Sequence, residues 1–324
     1  MSIELFLGID TGGTGIKYVV TGRDGVPLVR GEVATDPSSI AKSMIRLKEA
    51  VDTSLETIAT GAGLQSVGVA CAGIVDVAAG RLGRSPNLPG WQDSDLRGGV
   101  AAVFGGLPVT VANDVNGGLY GEFKHGAGRG CSNLVMIALG TGVGGGIIID
   151  GRLVLGSHAG AGEIGHMVLD PAGPVCTCGG RGCLEAWAGS PGLLNLARGE
   201  VRAGNGGAAL AELILSSGDS LTTRDLAKLA SAGDAGAREL FAIAGRRLGQ
   251  AVGNLVNVLD PDRVIVGGGV AQAGDLILGP CREVVPQLVL AVEAKNVPVV
   301  PAELGTLAAA IGAASLAREM EHTG

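Results

Sequence analysis

The sequence has few aromatic residues and few charges for a chain of 324 residues. Phe, Trp and Tyr together make up 2% of it, and Asp, Glu, Lys and Arg make up 17%. Hydrophobic residues reach 46% and glycines number 58, so we expect a large aliphatic core crossed by many tight turns. This composition excludes an intrinsically disordered chain, and the length has room for two domains.

Several further features are missing, and each absence narrows the function. No run of basic residues occurs and the formal net charge is −7, which argues against nucleic acid as a partner. The opening residues, MSIELFLGID, lack the positive region and cleavage site of a signal peptide and predict a strand. No uncharged apolar run has the length of a membrane span. Six cysteines do not indicate a disulfide framework in a chain this long, so we expect a reducing cytoplasm.

One segment, residues 166–185, concentrates side chains that bind metals. It reads HMVLDPAGPVCTCGGRGCLE, with one imidazole and three thiols in a polar, glycine-rich loop. The alternative is that these are three unrelated thiols buried in the core. Core packing does not explain why three thiols lie in a polar, glycine-rich loop. Cys₃His is a closed tetrahedral zinc set that leaves no open position for a catalytic water, so we predict a structural zinc site. The predicted ligands are His166, Cys176, Cys178 and Cys183.

Two glycine-rich turns each join two predicted strands. Residues 10–17 read DTGGTGIK, and residues 139–146 read LGTGVGGG. Glycines let successive backbone N–H groups point at an anion, and Thr adds a hydroxyl donor. Each turn alone could be an ordinary hairpin. The pair, with an aspartate at a strand end, predicts a site for a nucleotide's phosphates in which Asp10 holds Mg²⁺ through water.

Scattered polar residues complete the candidate site. Asn113 and Asp114 stand where a strand ends and a helix begins, so they could cap the helix or supply a general base for a hydroxyl nucleophile. Asn87 lies in a loop that could be a surface turn or could present its amide to a polyol. Taken together, amides and carboxylates of this kind suit sugar hydroxyls. The set comprises Asn87, Asn113, Asp114, Glu163, His166 and Glu185.

The spacing of apolar residues predicts two units of strand, glycine turn and strand, which suggests two similar halves facing a cleft. Strands are expected over residues 4–9, 16–21, 26–34, 66–71, 108–112, 134–139, 145–149 and 263–266. Helices are expected over residues 38–58, 114–123, 235–259 and 304–320, after an N-cap at Ser190-Pro191, and after Thr222 or Thr223.

In this order the motifs resemble those of the ROK sugar kinases. The motifs are Asp10-x-Gly-Gly-Thr, Asn113-Asp114, the turn 140–146, GEIGH over 162–166, and Cys176-x-Cys-Gly-x-x-Gly-Cys-x-Glu. The resemblance covers nearly the whole chain. It implies an α/β fold of two actin-like (ribonuclease H-like) domains facing a central cleft, with a zinc-binding insertion in the second. Residues 1–112 plus 304–324 would form the N-terminal domain, and residues 113–303 the larger C-terminal domain with the zinc loop 166–185.

The resemblance also implies an activity, an ATP-dependent transfer to the 6-hydroxyl of glucose with Asp114 as catalytic base. It implies that the six residues of the polar set bind the sugar, and that Mg²⁺ with ATP and a structural zinc are the cofactors. Lys17 stands two residues after Gly15, the position at which many bacterial glucokinases of the family have lysine. Family members are commonly homodimers or homotetramers. The implied nucleotide-binding residues are Asp10, Gly12, Gly13, Thr14, Lys17, Gly140, Thr141, Gly142, Gly144, Gly267, Gly268 and Gly269.

Two alternatives stay open. An N-acetylglucosamine or N-acetylmannosamine kinase would use the same motif residues with more space near the sugar 2-position. A non-catalytic sugar-sensing protein would need neither Asp114 nor both phosphate turns, which are intact here. Because the chain begins at the first phosphate strand, we expect no N-terminal DNA-binding domain of the kind that ROK repressors carry. Neither the choice of hexose nor the choice between ATP and polyphosphate follows from these residues.

Overall fold

The computed structural model describes residues 4–58 and 63–320, and its contacts divide the chain into two compact units. Unit 1 comprises Met1–Gly130, Leu153–Ala161 and Glu303–Gly324, and unit 2 comprises Cys131–Arg152 and Gly162–Ala302. In this division residues 113–130, including the helix that follows the boundary predicted at 112/113, belong to unit 1. Residues 1–3 and 321–324 of the predicted N-terminal domain lie outside the described residues.

The strands are short and occur in groups that helices separate. The strands are β1 (Glu4–Thr11), β2 (Gly15–Thr21), β3 (Pro27–Ala34), β4 (Gly63–Cys71), β5 (Val75–Asp76), β6 (Arg81–Leu82), β7 (Ser94–Asp95), β8 (Val109–Asn113), β9 (Leu134–Leu139), β10 (Val143–Ile149), β11 (Arg152–Leu153), β12 (Arg263–Gly267) and β13 (Val299–Pro301). The helices are α1 (Ile40–Leu55), α2 (Leu96–Val103), α3 (Asp114–His125), α4 (Leu184–Ala188), α5 (Ser190–Arg202), α6 (Gly207–Ser217), α7 (Thr223–Ser231), α8 (Ala235–Leu259), α9 (Asp275–Leu288) and α10 (Ala308–Met320).

Unit 1 is built on a mixed sheet with the strand order β3-β2-β1-β4-β8. The first three strands are antiparallel neighbours joined by tight turns, whereas β1, β4 and β8 run parallel. Thr11 is paired with Cys71, and Cys71 with Asn113, so the carboxyl ends of three parallel strands lie side by side. In an open α/β sheet this edge is where ligands bind.

Unit 2 repeats the same arrangement in the order β11-β10-β9-β12-β13. The second glycine turn joins the antiparallel pair β9–β10, and β9, β12 and β13 run parallel. The predicted hairpin at Asp150-Gly151 is confirmed, since both residues have positive φ values of 49° and 74°, as a type I′ turn requires. Helices α5 to α9 surround a continuous aliphatic core beside this sheet. Two similar halves are therefore present at the level of strand order.

Helix α10 packs in unit 1 at backbone contact distance. A Cβ atom added to Gly8 of β1 would lie 1.9 Å from the carbonyl oxygen of Ala310. One added to Gly312 would lie 1.8 Å from the carbonyl oxygen of Gly117 in α3. Any larger side chain would separate these elements. The small-residue composition of the last helix is thus explained by where it packs, and α3 joins unit 1 through the same contacts.

Three predicted helix boundaries need correction. Helix α1 ends at Leu55 rather than Ile58, with Ser39 as its N-cap. Helix α5 is capped by Gly189, so that Ser190 is its first residue and not the N-cap. Helix α10 begins at Ala308, because residues 305–307 form a 3₁₀ turn that starts at Gly305, whose φ is +58°. The small sheet β5-β6-β7 and helix α2 were not predicted, because these elements contain too few apolar residues to show a strand or helix periodicity. Of the helices described, none has the length and apolarity needed to cross a membrane.

A fully buried carboxylate fastens two backbone segments of unit 1. Glu122, on α3, accepts hydrogen bonds at 2.8 Å from the backbone N–H of Ala127 and at 2.8 Å from that of Leu304. The first segment leads to Gly130, where the chain leaves unit 1, and the second begins at Glu303, where the chain returns. Buried carboxylates are stable only when paired in this way.

We expect Glu122→Ala to lower the free energy of unfolding by about 3–5 kcal/mol, because two backbone donors lose a charged acceptor. Glu122→Gln should lose less, since its amide oxygen can still accept one of the two bonds. Urea unfolding measures the difference, and hydrogen exchange should show faster exchange at Ala127 and Leu304. Unchanged exchange at both amides in the alanine variant would contradict the assignment.

Candidate functional site

Two carboxylates meet at the strand ends of unit 1. Asp10 is next to last in β1, and Asp114 directly follows β8 as the first residue of α3. Burial raises the pKa of Asp10, the negative charges of Asp114 and Glu32 add to the rise, and Lys17 opposes it, so that the pKa lies at about 6. Burial likewise raises the pKa of Asp114 above its ordinary value. Two partly buried acids that repel each other in this way form a site suited to a cation or to proton transfer.

Asn113 fixes the position of Asp114. Its Oδ1 accepts hydrogen bonds from the backbone N–H groups of Val115, at 2.9 Å, and Asn116, at 3.3 Å, so the capping alternative is observed for this residue. Its Nδ2 donates to the carbonyl oxygen of Gly73 at 3.0 Å. Asp114 Oδ1 accepts from Val115 N–H at 3.0 Å. The amide of Asn113 therefore holds the helix start, and its predicted contact with a sugar stays a prediction.

The first glycine turn lies beside this pair. Lys17 stands directly opposite Asp10 in the β1–β2 ladder, so its ammonium faces the carboxylate. A Cβ atom on Gly13 would lie 3.0 Å from both Cβ and O of Asn87, so the turn and the Asn87 loop are in contact. Gly12 N–H donates to the carbonyl oxygen of Gly15 at 3.0 Å and closes the turn. Asn87 is exposed, and so is Thr14 at the tip of the turn. Close approach, rather than a positive φ, is thus the reason for glycine at position 13.

The second glycine turn and the triple glycine lie together in unit 2. Gly267 is paired with Ala138, next to the start of the turn. Gly268 has a φ of +89°, and a Cβ atom there would lie 2.3 Å from the carbonyl oxygen of Leu139. The carboxyl ends of β9 and β12 therefore present adjacent glycine-rich backbone, the type of surface that binds phosphate oxygens. Thr141, in the turn, is exposed. The remaining predicted phosphate ligands, Gly140, Gly142, Gly144 and Gly269, belong to the same two segments.

The four predicted metal ligands converge. The ligand atoms of His166, Cys176, Cys178 and Cys183 all lie within 4.8 Å of one another. Nδ1 of His166 is 3.8 Å from Sγ of Cys176, and Sγ of Cys178 is 3.8 Å from Sγ of Cys183. Zinc–sulfur bonds of about 2.3 Å in a tetrahedron place two sulfur atoms about 3.8 Å apart. The cluster thus has the donor set and the spacing of a metal site.

The cluster adjoins the predicted sugar residues of unit 2. Glu185 lies in the first turn of α4, two residues after Cys183, and its carboxylate accepts a hydrogen bond from the hydroxyl of Thr177 at 2.6 Å. Glu163 is exposed and immediately precedes the 3₁₀ turn 164–166 that carries His166. A cavity of about 310 Å³ has Glu185 and Thr177 among its lining residues.

A cation–π contact anchors the cysteine loop to the core of unit 2. The guanidinium of Arg247, on α8, lies 4.3 Å from the ring centroid of Trp187. Arg247 also forms an ion pair with Asp170, with 3.0 Å between Nη2 and Oδ2. Trp187 follows the loop and Asp170 lies near its start, so one arginine holds both ends. The sequence pattern did not reveal this residue, because a lone arginine on a long helix resembles any solvated cation.

The predicted site residues fall into two groups, one in each unit. The group in unit 1 contains Asp10, Gly12, Gly13, Thr14, Lys17, Asn87, Asn113 and Asp114. The group in unit 2 contains Gly140, Thr141, Gly142, Gly144, Glu163, His166, Cys176, Cys178, Cys183, Glu185 and the triple glycine 267–269. Thr177 was missed near these groups, although its place between two predicted ligands could have revealed it. Cys71, at the end of β4, is buried, which raises its pKa to about 12, so it stays a thiol.

Comparison with known proteins agrees with this geometry. The chain is 34% identical over 320 residues to a glucokinase of Streptomyces coelicolor, with 97% of this chain and 98% of the relative covered. Among solved structures it is similar to a ROK family glucokinase from Streptomyces griseus in complex with glucose and AMPPNP, with a TM-score of 0.78, 33% identity, and coverage of 97% and 99% of the two chains.

A second solved structure supports the same relationship over the full length. The ROK hexokinase from Thermus thermophilus has a TM-score of 0.80 and 30% identity, with 99% of this chain and 100% of that chain covered. The ROK family profile matches residues 6–320, which include every candidate residue described above. The fold is therefore that of this family, α/β with mixed sheets, and the chain belongs to the ROK family.

Proposed function

We propose that this protein is an ATP-dependent hexose kinase that phosphorylates the 6-hydroxyl of glucose. The observation that carries the proposal is the pair Asp10 and Asp114, two carboxylates brought together at the strand ends beside a glycine turn. Similarity to glucokinases over the full length supports the choice of substrate. Two actin-like domains facing a central cleft remain a prediction, as does the domain boundary at 112/113.

Asp114 acts as the general base in this mechanism. Its carboxylate accepts the proton of the sugar 6-hydroxyl as that oxygen attacks the γ-phosphate. Burial raises its pKa, which makes the carboxylate a stronger base than an exposed aspartate. Asn113 holds Asp114 at the helix start through its capping bonds. In phosphoryl transfer the protein mainly positions the reactants and neutralises phosphate charge. A base held in a fixed position is therefore the principal chemical contribution of unit 1.

The glycine turns bind the phosphates of ATP. Gly12, Gly13 and Thr14 supply donors from unit 1, with Lys17 as the neighbouring cation. In unit 2, the phosphates come close to the backbone at Gly140, Thr141, Gly142, Gly144 and the triple glycine 267–269. Asp10 would hold the Mg²⁺ that accompanies ATP. Its raised pKa fits this role, because the two neighbouring negative charges are stabilised by a cation. Mg²⁺ supplies neutralisation of phosphate charge.

The sugar contacts come from Asn87, Asn113, Glu163, His166 and Glu185, together with Asp114. Zinc would be held by His166, Cys176, Cys178 and Cys183, whose sulfur spacing fits a tetrahedral ion. Its contribution is structural: it fixes the loop that precedes Glu185 and orients the imidazole of His166. Because Nδ1 of His166 faces the thiols, Nε2 is left to donate to a sugar hydroxyl. We also propose that the protein works in a reducing cytoplasm, which keeps these thiols available. We expect it to form a homodimer or a homotetramer.

A coupled assay for ADP release tests the proposed function. The purified chain is supplied with Mg²⁺ and ATP, and with glucose, mannose, fructose, N-acetylglucosamine or N-acetylmannosamine in turn. We expect glucose to give the highest kcat/KM, with the product confirmed as the 6-phosphate by NMR. If an N-acetylhexosamine gives the highest kcat/KM, that sugar is the substrate instead of glucose. No ADP release with any sugar, together with sugar binding, would favour a non-catalytic sensor. Polyphosphate in place of ATP tests the donor.

We expect turnover to fall on the acid side of neutrality. Asp114 acts only when ionised, and burial raises its pKa above the ordinary aspartate value of 3.8. Asp114 is therefore fully ionised at high pH, and the ionised fraction falls as the pH drops through the raised pKa. A profile of kcat against pH should show an acid limb with a midpoint above 3.8, to which Asp10 also contributes because its pKa lies at about 6, while circular dichroism shows that the chain stays folded. A limb at the ordinary value would mean that the base is exposed.

A further inference from the structure

The carboxylate of Glu185 contacts the second glycine turn as well as the cysteine loop. Its Oε2 accepts a hydrogen bond at 3.0 Å from the backbone N–H of Val143, the residue that ends the turn and begins β10. The neighbouring backbone N–H of Ser190 donates to the carbonyl oxygen of Gly140 at 2.8 Å, at the other end of the turn. The segment that carries α4 and the start of α5 thus holds the turn at two points.

This contact explains why the turn has glycine at position 142. A Cβ atom on Gly142 would lie 2.6 Å from Oε2 of Glu185, closer than a carbon and an oxygen can approach. Gly142 does not have a positive φ, so backbone conformation gives no separate reason for glycine there. The turn is shaped to receive the carboxylate.

The other oxygen of the same carboxylate faces the metal cluster. Oε1 accepts from the hydroxyl of Thr177 at 2.6 Å and lies 3.6 Å from Sγ of Cys176. A cavity of about 310 Å³ is lined by Thr141 of the turn, by Cys176 and by Glu185. One carboxylate therefore joins the predicted metal loop to the predicted phosphate turn within unit 2.

We propose that Glu185 is a positioning residue for the phosphate turn, and that it sets nucleotide affinity even when no sugar is bound. A glycine-rich turn has many accessible conformations, and fixing it before ATP arrives lowers the entropic cost of binding. This inference rests on the proposed function, because it takes the turn 140–143 to be the phosphate site. It adds to Glu185 a second role, toward the nucleotide.

Two substitutions separate the reach of this side chain from its charge. Glu185→Asp keeps the charge but is one methylene shorter, so it cannot span from α4 to Val143 N–H. Glu185→Gln keeps the length and an acceptor oxygen but loses the charge. If positioning matters, the aspartate variant binds nucleotide more weakly and the glutamine variant recovers most of the affinity. If Glu185 acts on the nucleotide only by repelling phosphate, the glutamine variant binds more tightly than the wild type and the aspartate variant is unchanged.

The experiment is calorimetric titration of Mg²⁺–AMPPNP without sugar. We expect Glu185→Asp to raise Kd about tenfold, since a hydrogen bond to a charged group contributes roughly that factor. Glu185→Gln should raise it no more than about threefold. Glu163→Gln is the control: it removes an exposed carboxylate of the same unit from the predicted sugar set, so it should raise KM for glucose and leave the AMPPNP Kd unchanged. Zinc content and circular dichroism are measured on each variant.

The outcomes distinguish this inference from the proposed function. A wild-type chain that binds no AMPPNP and phosphorylates no sugar overturns the proposed function. A wild-type chain that binds AMPPNP, with a folded Glu185→Asp variant of equal affinity, overturns the positioning role alone. A glutamine variant weaker than the aspartate variant also overturns it, because charge and not reach would then control affinity.

Discussion

Replacing Asp114 with Asn should reduce kcat by roughly 10²–10⁴-fold, the usual share of general base catalysis. The asparagine side chain has the same shape, and its oxygen can still accept the hydrogen bond that Asp114 receives from Val115 N–H. The helix start and the neighbouring Asn113 cap should therefore persist. Only the capacity to accept the proton of the attacking hydroxyl is lost, so sugar affinity should change far less than turnover.

Steady-state kinetics by ADP release, with sugar affinity from calorimetry, measure both quantities. Asp24→Asn provides a matched control, because it makes the same chemical change in the exposed hairpin of the same unit, where Asp24 accepts from Val26 N–H at 3.1 Å. Its kcat should equal that of the wild type. An Asp114→Asn variant with near-normal turnover would remove Asp114 from the role of base and leave the fold assignment unaffected.

The second large effect should follow from removal of a thiol. Cys178→Ser replaces a thiolate ligand with a hydroxyl, which binds zinc poorly, so the bound metal should fall from one zinc per chain to none. Cys176 and Thr177 both contact Glu185, and a released loop would move that carboxylate. Displacements of about 1 Å in a site that depends on near-attack geometry lower rates about 10²-fold. We expect a loss of that order in turnover.

Metal analysis of protein purified without chelators measures the zinc content directly. Cys131→Ser is the control, because Cys131 is in unit 2 but is not one of the four clustered ligands. It should retain both zinc and activity. A fully active wild-type chain that contains no zinc would disprove the metal assignment, whatever the variants do. A Cys178→Ser chain that keeps its zinc would remove Cys178 from the ligand set.

The features that could be predicted from sequence are those encoded by neighbouring residues. The cysteine cluster was predicted from spacing alone, and its four ligand atoms lie within 4.8 Å of one another. Helix α8 was predicted over 235–259 and occupies Ala235–Leu259, because twenty-five residues of helical periodicity leave little ambiguity. Asn113 was predicted as a possible helix cap and forms those bonds. In each case the physical signal is local: ligand chemistry, periodicity or a capping side chain.

The features that could not be predicted depend on contacts between distant segments. Gly142 faces Glu185, 43 residues later in the chain, and nothing in either motif indicates that they touch. The junction near 112/113 marks a change from strand to helix, yet α3 packs with α10, which lies about 190 residues further on. Arg247 reaches Trp187 and Asp170 from the core helix. Contacts of this kind form only when distant segments fold against each other, so a pattern of neighbouring residues does not reveal them.

The position of α10 has a consequence for how the protein is made. Unit 1 begins with the first strands, but Phe6 and Val19 pack against Ala310, Ile311 and Ala314 of the last described helix. At about 5–20 residues per second, the ribosome needs roughly 10–40 s to pass from Gly130 to Met320. Until α10 is made, the face of β1 and β2 that contains Phe6 and Val19 has no cover, whereas the last segment of unit 2 ends at Ala302, before α10 begins at Ala308. The half that is synthesised first is thus the half that finishes folding last, and its nascent sheet is the surface that a chaperone would need to shield.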